Sequence, residues 1–118
     1  NGDGETSRDF CYIGNTVQMN LLAATTENDE ATDQVYNVAL NDRTSLNKLY
    51  QMIEERLILR TEGLEKKAPI YRAFRAGDVR HSQANIDKAQ NLLKYQPKYM
   101  ISEGLNQAMD WYVDSLTR

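Results

Sequence analysis

Two rhythms of apolar and polar residues alternate along the chain. Phe10, Cys11, Tyr12 and Ile13 form a short run rich in strand formers, and the pattern predicts a strand over residues 5–13. Val17, Leu21, Leu22 and Ala24 then supply one helical face, with Asn15 placed to cap that helix through its side-chain oxygen. Thr25 to Asp33 is polar and acidic and reads as a solvated linker. The run "QVYNVAL" is nearly continuous in apolar residues, which suits a buried strand of the parallel type.

The second half repeats the alternation. "LNDRT" reads as a loop that ends with Thr44 or Ser45 as a helix cap. Leu46, Leu49, Tyr50, Ile53 and Leu57 recur at steps of three and four, one clean helical stripe. Gly63 and the Lys66-Lys67 pair mark a loop, "APIYRAF" a further strand, and "RAGDVRHS" a loop centred on Gly77. Asn85 can cap a short helix carrying Ile86, Ala89, Leu92 and Leu93, which Pro97 stops. Ser102 caps the last predicted helix, whose face is Leu105, Ala108, Met109, Tyr112 and Leu116. Strand, helix, strand, helix is an α/β pattern. A strand like "VYNVAL" normally lies inside a larger parallel sheet, and few partner strands are available here. The chain therefore reads as a piece of a longer protein.

Composition narrows the function. A length of 118 residues suits one modest domain with a core. A net charge of −3 gives no basic footprint for nucleic acid. No apolar run reaches membrane-spanning length and no signal-peptide pattern is present, so no membrane partner is expected. The single cysteine, Cys11, rules out an internal disulfide framework and fits a reducing, cytoplasmic setting. It lies between two aromatic residues and reads as an inert buried thiol. His81 is the only histidine, so no His/Cys cluster points to a metal.

The opening stretch "NGDGETSRDFCYI" invites a calcium reading. Asp3, Glu5, Ser7 and Asp9 fall at alternate positions, yet Thr6 stands where the loop needs glycine and Tyr12 where it needs a bidentate Glu. The Asn1-Gly2 and Asp3-Gly4 dipeptides describe a hairpin turn instead. The chain has no glycine-rich dinucleotide or triphosphate loop and no recognisable nucleophile–base arrangement. It does have arginines beside turns. Arg8 follows the opening turn, and Arg75 starts "RAGDVRHS" with Asp78 three residues on. A guanidinium fork suits phosphate oxygens, and a carboxylate suits a ribose diol. Arg8, Arg75 and Asp78 are therefore candidate ligands for a nucleotide diphosphate, although Arg and Asp in Gly loops are more often solvated surface. Leu46 and Phe10 read as core by default, and Ser82 as a turn hydroxyl.

The segments "GDGETSRDFCYIGNTVQMNLLAA", "VYNVALNDRTSLNKLY", "YRAFRAGDVRHSQANIDKAQNLLKYQPKY" and "GLNQAMDWYV" together resemble the C-terminal portion of an extended short-chain dehydrogenase/reductase. The resemblance covers essentially the whole chain. It is nearest to the NAD-dependent sugar-nucleotide epimerases, in particular bacterial UDP-N-acetylglucosamine 4-epimerases of O-antigen and Vi-type polysaccharide pathways. It implies an α/β fold in two parts. Residues 1–43 would supply a helix and strand returning to a Rossmann-type parallel sheet whose remainder is absent. Residues 44–118 would form the substrate lobe.

It further implies that Arg8 and Arg75 hold the UDP phosphates from two sides and that Asp78 accepts from the ribose hydroxyls. Phe10 and Leu46 would line the nucleotide pocket, and a small Ser82 would leave room for an N-acetyl group. The implied chemistry is oxidation at sugar C4 by bound NAD, rotation of the keto sugar and hydride return. The implied cofactor loop and Tyr-x-x-x-Lys pair are not in this sequence, so these residues alone are expected to be inactive and not to bind NAD. The implied partner is a UDP-N-acetylhexosamine, and a homo-oligomer is expected. Two alternatives stay open: a uronic-acid epimerase, dehydratase or decarboxylase on the same scaffold, and a non-catalytic binding module.

Overall fold

A computed structural model describes residues 1–116; Thr117, Arg118 and the side chain of Leu116, the last position of the predicted stripe, lie outside the described residues. Over the described residues the fold is a small α/β unit of four helices and one two-stranded sheet. In chain order the elements are β1 (Ser7–Arg8), α1 (Ile13–Thr25), β2 (Thr44–Ser45), α2 (Leu46–Ile58), α3 (Asp87–Leu93) and α4 (Ile101–Leu116). β1 and β2 run antiparallel with Ser7 opposite Ser45 and Arg8 opposite Thr44. A single parallel bridge adds His81 beside Ser7.

α2 and α3 begin where their local patterns place them. Ser45 caps α2, its hydroxyl accepting from the Lys48 N–H at 3.2 Å. Asn85 serves the start of α3, its Oδ1 accepting from the Asp87 N–H at 2.8 Å. Ile86, Ala89 and Leu93 are buried together with Met19, Ala31, Ala39 and Tyr95, and this cluster is the core. Tyr95 is 0% exposed, and its hydroxyl donates to the Ala39 carbonyl at 3.0 Å. α3 stops before Pro97 is reached: Lys94 takes the left-handed conformation at φ 56 and returns its N–H to the Ala89 carbonyl.

Several expectations are corrected. The predicted strand over residues 5–13 shrinks to Ser7–Arg8, and neither 34–40 nor 68–74 joins a ladder. A strand is completed by hydrogen bonds from a neighbour, and the described residues offer these two segments none. Val35 is 87% exposed while Ala39 and Leu40 are buried, so "QVYNVAL" is only half enclosed. The acidic linker is not simply solvated. Asn28 accepts from the Glu30 N–H at 3.1 Å to cap a 3₁₀ turn, Asp29–Ala31, which buries Ala31.

Asn15 does not cap α1. It lies inside the helix, fully buried, and grips Tyr99 at both backbone groups: Nδ2 donates to its carbonyl at 2.7 Å and Oδ1 accepts from its N–H at 3.0 Å. α1 accordingly turns Asn15 and Met19 inward and leaves Val17 and Leu21 51% and 61% exposed along a groove of about 510 Å³. Ser102 is likewise no cap; it sits in the first turn of α4, where its hydroxyl accepts from Arg56 Nη2 at 2.8 Å. Gly104 is required there, because a Cβ would stand 2.6 Å from that of Tyr12.

Candidate functional site

The opening turn, the start of α2 and the "RAGDVRHS" loop meet at a cavity of about 300 Å³ lined by Asn1, Thr6, Arg8, Leu46, Arg75 and Asp78. Each wall has a local cause. Thr6 and Ser7 are buried, and the Thr6 carbonyl accepts from the Leu46 N–H at 3.0 Å, which sets Leu46 beside β1. Ser7 donates its N–H to the Arg80 carbonyl at 2.9 Å and accepts from the Ser82 N–H at 3.1 Å. The Ser7 hydroxyl and His81 Nδ1 share a hydrogen bond of 2.8 Å. These contacts lay residues 80–82 alongside β1.

Asp9 holds the same edge from the other side. One of its oxygens accepts from the Leu40 N–H at 2.9 Å, and the other from the Asp42 and Ala84 N–H groups at 3.3 and 3.4 Å. One carboxylate thus joins three segments just behind Arg8. Arg8 itself sends Nη1 to the Ser7 carbonyl at 2.8 Å and the Arg80 carbonyl at 3.4 Å, and Nη2 to Asp78 Oδ1 at 2.5 Å. Arg75 and Asp78 form a turn, with the Asp78 N–H on the Arg75 carbonyl at 3.3 Å and Gly77 at φ +77 between them.

Residues 70–82 are exposed throughout and lie as a strap against the opening turn. Its near foot is held by the Gly2 N–H on the Arg72 carbonyl at 2.7 Å and by the Tyr71 hydroxyl on Asn47 Oδ1 at 2.9 Å. Its far foot is held by Arg80, which pairs with Asp3 at 2.7 Å and stands 5.4 Å from the Phe74 ring centre. The Arg80 guanidinium, with the Glu5 N–H behind it, holds the Asp3 carboxyl below the usual carboxylate range. Asn47 ties the turn to α2 by donating to the Asp3 carbonyl at 3.1 Å and Glu5 Oε1 at 2.6 Å. Gly4, at φ +78, lies so close to that amide that a side chain there would displace it.

Of the six candidate residues, Arg8, Leu46, Arg75 and Asp78 share this cavity. Phe10 faces a separate hollow of about 280 Å³ with Leu49, Ile101 and Leu105. Ser82 is exposed and meets β1 through its backbone. Sequence reasoning missed Asn47, Asp3 and Arg80 as supports of the site. Their partners lie far along the chain, so no local signal marks them.

A small α/β lobe carrying an arginine-lined cavity is what these residues build. The chain belongs to the GDP-mannose 4,6 dehydratase family, whose profile matches residues 1–108. It is similar to the UDP-glucose 4-epimerase of Thermotoga maritima solved with UDP-glucose, at 32% identity and a TM-score of 0.80, covering 98% of this chain and 34% of that one. It is also similar to the UDP-glucuronic acid 4-epimerase of Bacillus cereus in complex with UDP-glucuronic acid and NAD, at 27% identity and a TM-score of 0.77 over 98% and 34% of the two chains. The UDP-N-acetylglucosamine 4-epimerase of Methanobrevibacter ruminantium, solved with UDP-N-acetylmuramic acid, matches at 28% identity and a TM-score of 0.71 over 97% and 34%. The chain spans about a third of the length of the curated relatives it matches. No helix among the described residues is long and apolar enough to cross a membrane.

Proposed function

We propose that the chain is the UDP-sugar-binding part of an NAD-dependent UDP-N-acetylhexosamine 4-epimerase. The observation that carries this reading is the convergence of Arg8, Arg75 and Asp78 on one cavity from sequence positions about 70 residues apart. Two arginines lining one cavity suit a diphosphate, and a carboxylate beside them suits ribose hydroxyls. Kinship with sugar-nucleotide epimerases supports the reaction class. A relative named for UDP-N-acetylglucosamine supports the N-acetylhexosamine.

In such an enzyme bound NAD would supply hydride removal and return at the sugar. The described residues do not fit it: no glycine-rich turn leads into α1, and a Cβ at Gly14 would meet the Tyr12 and Tyr99 rings, at 2.9 and 3.0 Å, rather than open space. The cofactor and the catalytic pair therefore belong to the rest of the parent protein, and the role of this chain is to bind and orient the nucleotide. A uronic-acid epimerase is the second reading, favoured by the relative solved with UDP-glucuronic acid. Product analysis by NMR decides between them, with UDP-N-acetylglucosamine, UDP-glucose and UDP-glucuronic acid offered in turn to the full-length protein. Conversion of UDP-glucuronic acid alone overturns the first reading.

The exposed Val17 and Leu21 also favour self-association of the 118 residues when they are produced alone. A monomer in light scattering at high concentration refutes that expectation.

A further inference from the structure

Arg8 and Arg75 face the same cavity in different states. The Arg8 guanidinium is divided: Nη1 is fixed on the Ser7 and Arg80 carbonyls, while Nη2 holds Asp78. Arg75 has no side-chain partner among the described residues; it lines the cavity and is exposed. The Arg8–Asp78 pair is 30% and 40% exposed, so an anion entering from solvent can reach it. Gly77, next to Asp78, has nothing within 4 Å of where a Cβ would be, which leaves the turn room to swing.

We propose that Asp78 is an internal competitor for Arg8, and that a nucleoside diphosphate binds by taking the Nη2 side of Arg8 from it. The inference rests on the diphosphate reading above. Arg75 receives the phosphates first, because it has no partner to give up. The fixed Nη1 keeps the Arg8 fork aimed while Nη2 changes partners, so the exchange needs no rebuilding of β1. A displaced carboxylate is costly unless it finds new donors. A ligand with vicinal hydroxyls beyond its phosphates provides them, whereas a bare phosphate chain does not. Asp78 therefore discriminates for a ribose diphosphate and against inorganic pyrophosphate. An exposed ion pair is a small barrier, so the discrimination is modest and weakens in salt.

The test is calorimetric titration of the full-length protein and its Asp78→Asn variant with inorganic pyrophosphate, UDP and 2′-deoxy-UDP. The variant is expected to bind pyrophosphate about three- to tenfold more tightly than the wild type, through release of Arg8 and removal of a nearby negative charge. It is also expected to lose the preference for UDP over 2′-deoxy-UDP. On an Arg8→Gln background the gain for pyrophosphate should shrink to within about twofold, which a general loosening of the strap does not produce. Asp78→Ser carries the test if Asp78→Asn does not fold. UDP binding that persists with no gain for pyrophosphate overturns this proposal alone. A wild-type protein that fails to bind UDP overturns both this proposal and the function it rests on.

Discussion

The two arginines of the cavity stand on walls of opposite character. Arg8 belongs to a wall fixed by buried Thr6 and Ser7, by the ladder to β2 and by the three N–H groups gathered on Asp9. Arg75 belongs to a strap that is exposed throughout and held at its feet and, through Asp78, by Arg8. One wall sets a position, and the other can adapt to what enters. The contrast predicts that damage behind the fixed wall costs stability, whereas damage to the strap costs binding and little else.

The largest effect is expected at buried contacts away from the strap. Asn15→Ala removes the buried amide that satisfies both backbone groups of Tyr99, and should lower unfolding free energy by about 2–4 kcal/mol in denaturant titration. An unchanged midpoint would sink the view that this contact joins α1 to the approach of α4. Tyr95→Phe comes next, with an expected loss of about 1–2 kcal/mol as the buried Ala39 carbonyl loses its donor.

Tyr95 also carries a pH signature. Burial, with the Cys11 thiol and then the Asp9 carboxylate nearby, pushes its hydroxyl up to about 12 from an ordinary 10.0. Below 10.0 the hydroxyl keeps its proton in both states, so its contribution to stability is complete. Between the two values the unfolded chain gives up its proton first, and stability falls as pH rises. Melts across that window should slope downward in the wild type and flatten in Tyr95→Phe.

The strap should behave in the opposite way. Arg75→Gln is expected to leave the melting temperature unchanged while weakening UDP binding about tenfold, a value typical of losing one charge-assisted contact. Equal affinity would remove Arg75 from the site. The smallest effect belongs to Asp3→Asn, at the exposed far foot. Its carboxyl is held below its ordinary 3.8, so the pairing with Arg80 adds stability above that pH and loses it as pH falls through the lowered value. A slightly shallower acid limb in the variant, and no change at neutral pH beyond about one degree, is the expected result. A large loss at neutral pH would mean that the strap is structural after all.

Legibility in the sequence followed the range of the interactions. α2, with Ser45 as its cap, and α3, with Ile86, Ala89 and Leu93 inward, could be read from patterns a few residues long. The strands could not. "QVYNVAL" and "APIYRAF" have strand composition but no ladder partner among the described residues. α1 forms where the pattern predicts a helix, but its inward face differs: Val17 and Leu21 are exposed, while Asn15 and Met19 are buried. Periodicity reports that a face is apolar, not which neighbour covers it. The site was half legible. Arg8, Arg75 and Asp78 stood out as arginine and carboxylate beside glycine turns, but Asn47 and Arg80 had nothing local to mark them.

By itself, then, the sequence determined the four helices in outline, the opening turn, the family likeness and the charged groups available for an anion. Each of these depends on residues close together in the chain or on side-chain chemistry that does not change with folding. Only the tertiary structure decided that Arg8 is already engaged by Asp78, 70 residues away, and that Arg75 is not. It also decided that Asn15 locks Tyr99 and that Asp9 gathers three segments behind the cavity. Those outcomes depend on distances between remote side chains and on competition among donors for one acceptor, and both are settled when the chain is packed.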